Sequence, residues 1–412
     1  MRLNQTRVKE KIMTEEKCDF LIIGSGIVGL AVARELHHRN PAAKITVIEK
    51  ESDVAYHSSG RNSGVLHAGF YYTADSLKAK FTREGNAAMR TYCQNNKLRI
   101  NECKKVVVAQ NAEELPALFE LEKRGKTNGV DVRIIDENEL AEIDPNARTH
   151  KHALYSPTTA TVDPVEVNRC LKNELTQKGL RIYFDEAYLS RISGNKIQTS
   201  KRTVEANHII NAAGLYADRI GKDFDFSERY TIIPFKGIYL KYSNKDKPIR
   251  TNIYPVPNLK NPFLGVHYTI TVDGTIKIGP TAIPAFWREN YEGMGSFNAL
   301  EMVEIMTREA QLFLLNSFGF RDLAFEEIQK YNRRYFSGLA SKLVKTIDRG
   351  GFREWSRPGI RAQLLDTKTR KLVMDFVVEG DKASTHILNA VSPAFTCSFP
   401  FAKMIVDRIT KP

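Results

Sequence analysis

The chain has 412 residues, more than one ordinary core organises, so two domains are expected. With 42% apolar and 26% charged residues it has the make-up of a globular protein, and no run of about 18 apolar residues offers a transmembrane helix. The net charge of +13 fits acidic small substrates, an anionic membrane surface, nucleic acid or merely solvated lysines.

Residues 1–17 are polar with a basic bias and lack the apolar stretch of a secretory signal, so they read as a disordered extension. Residues 18–23 then form a short apolar run suited to a buried parallel strand. Gly24-x-Gly26-x-x-Gly29 follows, residues 27–36 carry helical spacing, and residues 45–48 make a second buried strand ending at Glu49. This strand, glycine turn, helix and strand, with an acid 20 positions after Gly29, is the pattern of a dinucleotide-binding unit. Gly24 permits a tight turn, Gly26 lets a pyrophosphate approach the backbone, and Gly29 lets helix and strand pack closely. The helix N-terminus then offers free N–H groups to phosphate.

Residues 57–69 hold three glycines and four small polar side chains, a loop able to line a ligand closely. Helices are expected over 77–95, 113–128, 137–143 and 164–178, the last capped by Asp163-Pro164. Strands are expected at 106–109, 132–135 and 180–184, and at 203–210, where the run closes on Ala213-Gly214. Residues 231–283 read as closely spaced strands, including 263–268, with a hairpin signal at 272–274. They suit an antiparallel sheet flooring a substrate domain. Residues 297–318 and 325–347 read as long helices, the second basic enough to lie on a membrane or to face solvent. A last strand, 387–390, leads to a terminal helix over 398–409. Five cysteines without a Cys-x-x-Cys pair argue against structural zinc, an iron–sulfur cluster or a redox disulfide, and suit a reducing cytoplasm.

Several segments carry a family likeness. They are residues 63–72 (Ser-Gly-Val-Leu-His-Ala-Gly-Phe-Tyr-Tyr), 76–80, 213–219, 253–257, 262–267, 279–280 and 359–363. On these the chain resembles the flavoproteins related to D-amino-acid oxidase, and within them the L-2-hydroxyglutarate oxidases and dehydrogenases. The resemblance implies an α/β fold: a glutathione-reductase-like, Rossmann-type FAD domain and a second α+β substrate domain on an antiparallel sheet. The FAD domain is expected over 18–100, 150–228 and 350–412, and the substrate domain over 101–149 and 229–349. Gly24, Gly26, Gly29, Glu49 and Lys50 would hold the adenosine diphosphate part of FAD. Ser58, Gly60, Asn62, Ser63 and Gly64 would run toward the flavin, Ala213 and Gly214 would adjoin it, and Pro393, Ala394, Phe395 and Thr396 would face its pyrimidine end. The family pattern differs at Arg61, usually His; at Ile238, usually acidic; and at Val391, usually Pro. A sister specificity therefore stays open.

The implied reaction oxidises a small 2-hydroxy acid, L-2-hydroxyglutarate first, to the 2-oxo acid by hydride transfer to flavin N5. His67 is the expected base and His267 the second candidate. Arg61 and Arg361 are the expected carboxylate binders, with Tyr71 and Lys236 as weaker candidates. No metal site and no specific nucleic-acid partner are expected. Oxygen, a membrane quinone or a soluble carrier would accept the electrons, in a protein expected to be cytoplasmic or peripheral on the inner face of the membrane. Other readings are a flavoenzyme for another hydroxy or amino acid, of the glycerol-3-phosphate or D-amino-acid kind, an RNA-modifying flavoprotein, or a non-catalytic FAD carrier.

Overall fold

A computed structural model of the protein describes residues 14–257 and 265–410. The elements that build its cavity are, in chain order, β1 (Thr14–Ile23), α1 (Ile27–Arg39), β2 (Ile45–Ile48), α2 (Leu77–Asn95), β3 (Lys105–Val108), β4 (Arg202–Asn211) and β5 (Tyr230–Gly237). They continue with β6 (Asn252–Pro255), α3 (Ala299–Leu314), α4 (Phe320–Gln329), α5 (Arg333–Ser341), β7 (Gly359–Asp366), β8 (Ser384–Asn389) and α6 (Ala394–Thr410).

β2, β1, β4 and β8 run parallel, in that order, through an eight-stranded sheet. Leu21 and Ile23 face one side of it, among Ile209, Ile220 and Phe224. Ile22 faces the other, among Leu30 and Leu36 of α1, Met89 of α2 and Phe401 and Ile405 of α6. Burial on both faces explains why these strands read as unbroken apolar runs. Each fully enclosed side chain such as Leu30 contributes about 1.5–3 kcal/mol. The expected doubly wound sheet is therefore present.

The other β-structure is divided among smaller sheets instead of one floor. β5 and β7 pair antiparallel from Tyr230↔Asp366 to Gly237↔Gly359. A second antiparallel sheet holds Leu240–Tyr242, His267–Ile270, Ile276–Gly279 and Phe352–Trp355. A third joins β6 and β3, which are parallel, to His152–Ser156 and Arg133–Asp136. His152–Ser156, Phe352–Trp355 and β7, expected on the FAD side, are thus hydrogen-bonded into the sheets of the other region.

Four expectations are corrected. Residues 14–17 are not part of an extension: β1 begins at Thr14, and Glu16 is buried where Arg181 and Arg202 meet it at 3.2 Å. Residues 1–13 lie outside the described residues. The strand expected over 263–268 begins at His267, and its residues 263–264 also lie outside them. The long helix expected over 325–347 is two. α4 stops at Gln329, and Asn332 caps α5 by accepting from the N–H groups of Arg334 and Tyr335. An Asn side chain offers the backbone this exit from a helix. Lys330, buried against Glu326 and Glu327, does not join a basic stripe. The terminal helix starts at Ala394, not 398, directly after Ser392-Pro393.

Candidate active site

A cavity of about 1340 Å³ opens at the carboxyl ends of β1 and β2 and runs to the antiparallel sheets. That is where an open α/β sheet leaves its crevice. At its start Gly24 has φ +104°, and an added Cβ would lie 2.7 Å from the Ala212 carbonyl oxygen. Gly26 caps α1 without a side chain, and the Ile27 N–H donates to Ser59 Oγ at 2.9 Å. Glu49 Oε2 accepts from the N–H and hydroxyl of Ser25, both at 2.9 Å, and so holds the glycine turn from β2. Lys50 lies between Glu51 and Glu289. Glu51, Glu289 and His57 bring ligand-type atoms within 4.8 Å of one another, with the Lys50 ammonium set between the two carboxylates.

The loop after β2 lies along the cavity. Ser58, Asn62 and Ser63 line it, whereas Gly60 and Gly64 do not and only shape the turns. Ser58 Oγ donates to the Ile360 carbonyl at 2.7 Å and ties the loop to β7. Asn62 accepts from the Gly64 N–H at 2.8 Å and donates to the Ser58 and Ser59 carbonyls. Ala213 and Gly214 line the opposite wall, and Pro393, Ala394, Phe395 and Thr396 bring the N-terminus of α6 to it. Gly29 lies off the cavity; its Cβ position is 2.0 Å from the Gly24 carbonyl oxygen.

His67 borders the far end. Its N–H donates to Thr396 Oγ1 at 3.2 Å, and its carbonyl accepts from Asn86 Nδ2 at 3.1 Å, so the backbone is clamped on both sides. Nδ1 is enclosed without a hydrogen-bond partner, although part of the ring faces the cavity. Burial, then Lys105 and His267, holds this imidazole well below its ordinary pKa, so it is neutral near pH 7. His267 is stacked on Tyr254 with ring centroids 3.6 Å apart, and burial pushes it down to about 3. Its Nδ1 lies 2.8 Å from the Gly265 carbonyl, an acceptor only, so Nδ1 carries the proton and Nε2 keeps its lone pair.

Arg361, on β7 opposite Phe235, lines the cavity, and its Nη1 donates to the Thr281 carbonyl at 2.9 Å. Arg61 is at the rim. It donates to the Tyr56 and Pro358 carbonyls and lies 4.2 Å from the Tyr291 ring centroid. Tyr71 lines the cavity, buried and with its hydroxyl unpartnered. Lys236 does not line it and instead donates to Asn290. Sequence reading gave no role to Tyr239, Tyr254 or Lys105. Tyr254 lay within a noted motif, but nothing in strand alternation says which tyrosine faces a ligand.

The cradle suits FAD. A side chain at Gly26 would stand before the open N–H groups of α1, the place for a pyrophosphate. Glu49 retains acceptor capacity at the end of β2 for a ribose hydroxyl. The α6 N-terminus brings partial positive charge to the far wall, which would suit the negative charge of a reduced flavin.

Comparison with known proteins agrees. Residues 19–408 match the family model described as FAD dependent oxidoreductase. The mitochondrial L-2-hydroxyglutarate dehydrogenase of Mus musculus is 35% identical over 410 residues, 94% of this chain and 87% of that protein. The L-2-hydroxyglutarate dehydrogenase of an Escherichia coli strain is 33% identical, covering 95% of this chain and 93% of that one. Among solved structures, dithionite-reduced L-alpha-glycerophosphate oxidase from Mycoplasma pneumoniae, with FAD bound, superposes with a TM-score of 0.74 at 20% identity, covering 96% of each chain. Glycine oxidase from Geobacillus kaustophilus superposes with a TM-score of 0.67 at 17% identity, covering 96% of this chain and 95% of that one. The parallel sheet, the glycine cradle and a match spanning nearly the whole chain lead to one conclusion: this protein belongs to the FAD dependent oxidoreductase family and is an FAD-dependent oxidoreductase.

Proposed function

We propose that the protein oxidises L-2-hydroxyglutarate to 2-oxoglutarate. The observation that carries this reading is the far end of the cavity. Two neutral histidines and Arg361 line it, and the charges acting on the rings are positive: Lys105 on His67, and Lys105, Arg361 and Lys277 on His267. Such an end attracts carboxylates and leaves a proton acceptor in the right state. The names of the relatives support the same substrate.

FAD, when bound, accepts a hydride at N5. The protein's part is to hold the substrate. Arg361 takes one carboxylate, and Arg61 screens the mouth. His67, clamped through its backbone, receives the hydroxyl proton. The fixed tautomer of His267 favours a second assignment, in which its Nε2 is the acceptor. An incoming anion raises the basicity of either ring, since it offsets the neighbouring cations. Gly24, Gly26, Gly29, Glu49 and Lys50 serve the adenosine diphosphate portion. The loop at 58–64, Ala213-Gly214 and residues 393–396 serve the flavin.

Electrons leave to oxygen or to a membrane quinone, and the dehydrogenase names of the relatives favour an acceptor other than oxygen. Among the described residues no helix is long and apolar enough to cross a membrane. Leu300, Val303, Leu314, Leu315, Phe325 and Ile328 are exposed on and between α3 and α4, which supports peripheral lipid contact there. All five cysteines are free thiols, which supports a reducing, cytoplasmic setting. The test is product identity: incubation with L-2-hydroxyglutarate and an artificial acceptor yields 2-oxoglutarate. Turnover of glycerol 3-phosphate or an amino acid in its place would favour the sister specificity.

A further inference from the structure

Lys105 is the first residue of β3 and is fully buried, yet its Nζ has no hydrogen-bond partner. The ammonium lies 4.0 Å from the Tyr254 ring centroid, 5.4 Å from that of Tyr71 and 5.8 Å from that of Phe70. Rings alone do not replace the water or counter-ion that a buried ammonium has lost. Two further enclosed polar atoms beside it also lack partners: the Tyr71 hydroxyl and His67 Nδ1. Two of these three orphaned groups, on His67 and Tyr71, belong to residues that wall one end of the cavity together with Tyr254 and His267, and Lys105 lies directly behind that wall, against the Tyr71 and Tyr254 rings. The titratable groups facing Lys105 are those four and Cys103, all uncharged near neutral pH, and no carboxylate acts on it.

We infer that Lys105 is a specificity-determining residue: it supplies the positive charge for the second carboxylate of a dicarboxylic substrate at this end of the cavity. The inference rests on the dicarboxylate reading above and adds to it the residue that tells a diacid from a monoacid. The protein leaves this ammonium without an anion of its own, and a diacid brings one more carboxylate than Arg361 needs. Burial holds the amine down at about 7, so above that pH it is largely neutral until the diacid arrives. Binding a diacid then draws a proton from solvent, whereas binding a monoacid does not.

The first test compares L-2-hydroxyglutarate with L-2-hydroxypentanoate, which has the same chain length but no second carboxylate. In Lys105→Met holoenzyme, kcat/KM for the diacid falls about 100-fold or more while that for the monoacid holds, because a buried charge has lost its partner. The second test needs no variant. Wild-type holoenzyme is titrated calorimetrically with glutarate and with pentanoate at about pH 8, in buffers of different ionisation enthalpy, and takes up about one proton with glutarate only. Equal loss for both substrates, an unchanged preference for the diacid, or no difference in proton uptake would overturn the inference. A wild-type enzyme that oxidises neither acid would refute the dicarboxylate reading, and this inference with it. Diacid preference that survives Lys105→Met refutes this inference alone.

Discussion

Gly26→Ala and Gly29→Ala add the same methyl group three positions apart, and the structure separates their consequences. At Gly26 the backbone is at φ −65° and ψ 172°, ordinary for alanine. The new Cβ would meet Ser59 Oγ at 3.0 Å, a side-chain atom that can yield. The apoprotein therefore loses only about 0.5–1 kcal/mol, mostly because alanine is a poorer cap than glycine. The methyl nevertheless stands over the α1 N–H groups, so FAD binding weakens about tenfold or more, worth about 1.4 kcal/mol. At Gly29 the new Cβ would lie 2.0 Å from the Gly24 carbonyl oxygen and 3.3 Å from Ile22 Cγ2. The first of these is backbone, so α1 must lift from β1. That costs about 3 kcal/mol, against about 1 kcal/mol regained in helix propensity. Urea unfolding of the apoproteins and FAD titration by fluorescence quenching read the two effects separately. Gly29→Ala apoprotein unfolding at the wild-type midpoint, or Gly26→Ala binding FAD as tightly as wild type, would refute this reasoning.

His67→Asn holoenzyme should retain FAD and reduce it at least about 100-fold more slowly in stopped flow. If His267→Asn has that effect and His67→Asn does not, the proton acceptor is His267. Asp218 and Arg288 are both fully buried and bonded at 2.7 and 3.0 Å, joining the turn after β4 to the segment before α3. Asp218→Asn should cost about 3 kcal/mol in urea unfolding, since the fully buried Arg288 loses its two close carboxylate bonds and keeps only Glu304 at 3.7 Å. Glu309 is buried with one carboxylate oxygen unpartnered, and burial raises it to about 8 from an ordinary 4.5. The folded state keeps this proton to higher pH than the unfolded state, so stability falls as pH rises from about 4.5 to about 8. Glu309→Gln removes that loss, and its urea midpoint should exceed that of wild type at about pH 9 but match it near pH 4. Vesicle flotation should find the protein with lipid, and Leu300→Ser/Leu314→Ser should lower the bound fraction.

The dinucleotide cradle was legible because each part leaves a local trace. Two-faced burial makes apolar runs at 18–23 and 45–48, and the turn demands glycine at 24. Asp163-Pro164 announced its helix, and Asp163 accepts from the Val165 and Glu166 N–H groups as a cap does. What stayed illegible depends on the third dimension. The helix break at Asn332 turns on whether one side chain caps or faces solvent, and spacing does not decide that. Lys236 and Lys105 both sit in strands, and only the packing of separate sheets places one beside Asn290 and the other behind the cavity. Whether the β-rich region is one sheet or several follows from long-range pairing such as β5 with β7, more than 120 residues apart. Among the candidate carboxylate binders, sequence treated Arg61 and Arg361 alike. Both line the cavity, but Arg61 is tied by two carbonyls at its exposed edge, while Arg361 is held further in by the Thr281 carbonyl.

The measurement that bears most directly on the account is the visible spectrum of the purified protein, followed by anaerobic titration with L-2-hydroxyglutarate. The account predicts a bound flavin band near about 450 nm that bleaches as the acid is added, with no added metal or nucleotide. A colourless protein that binds no added FAD, or a flavin band that the acid leaves unchanged, would contradict it.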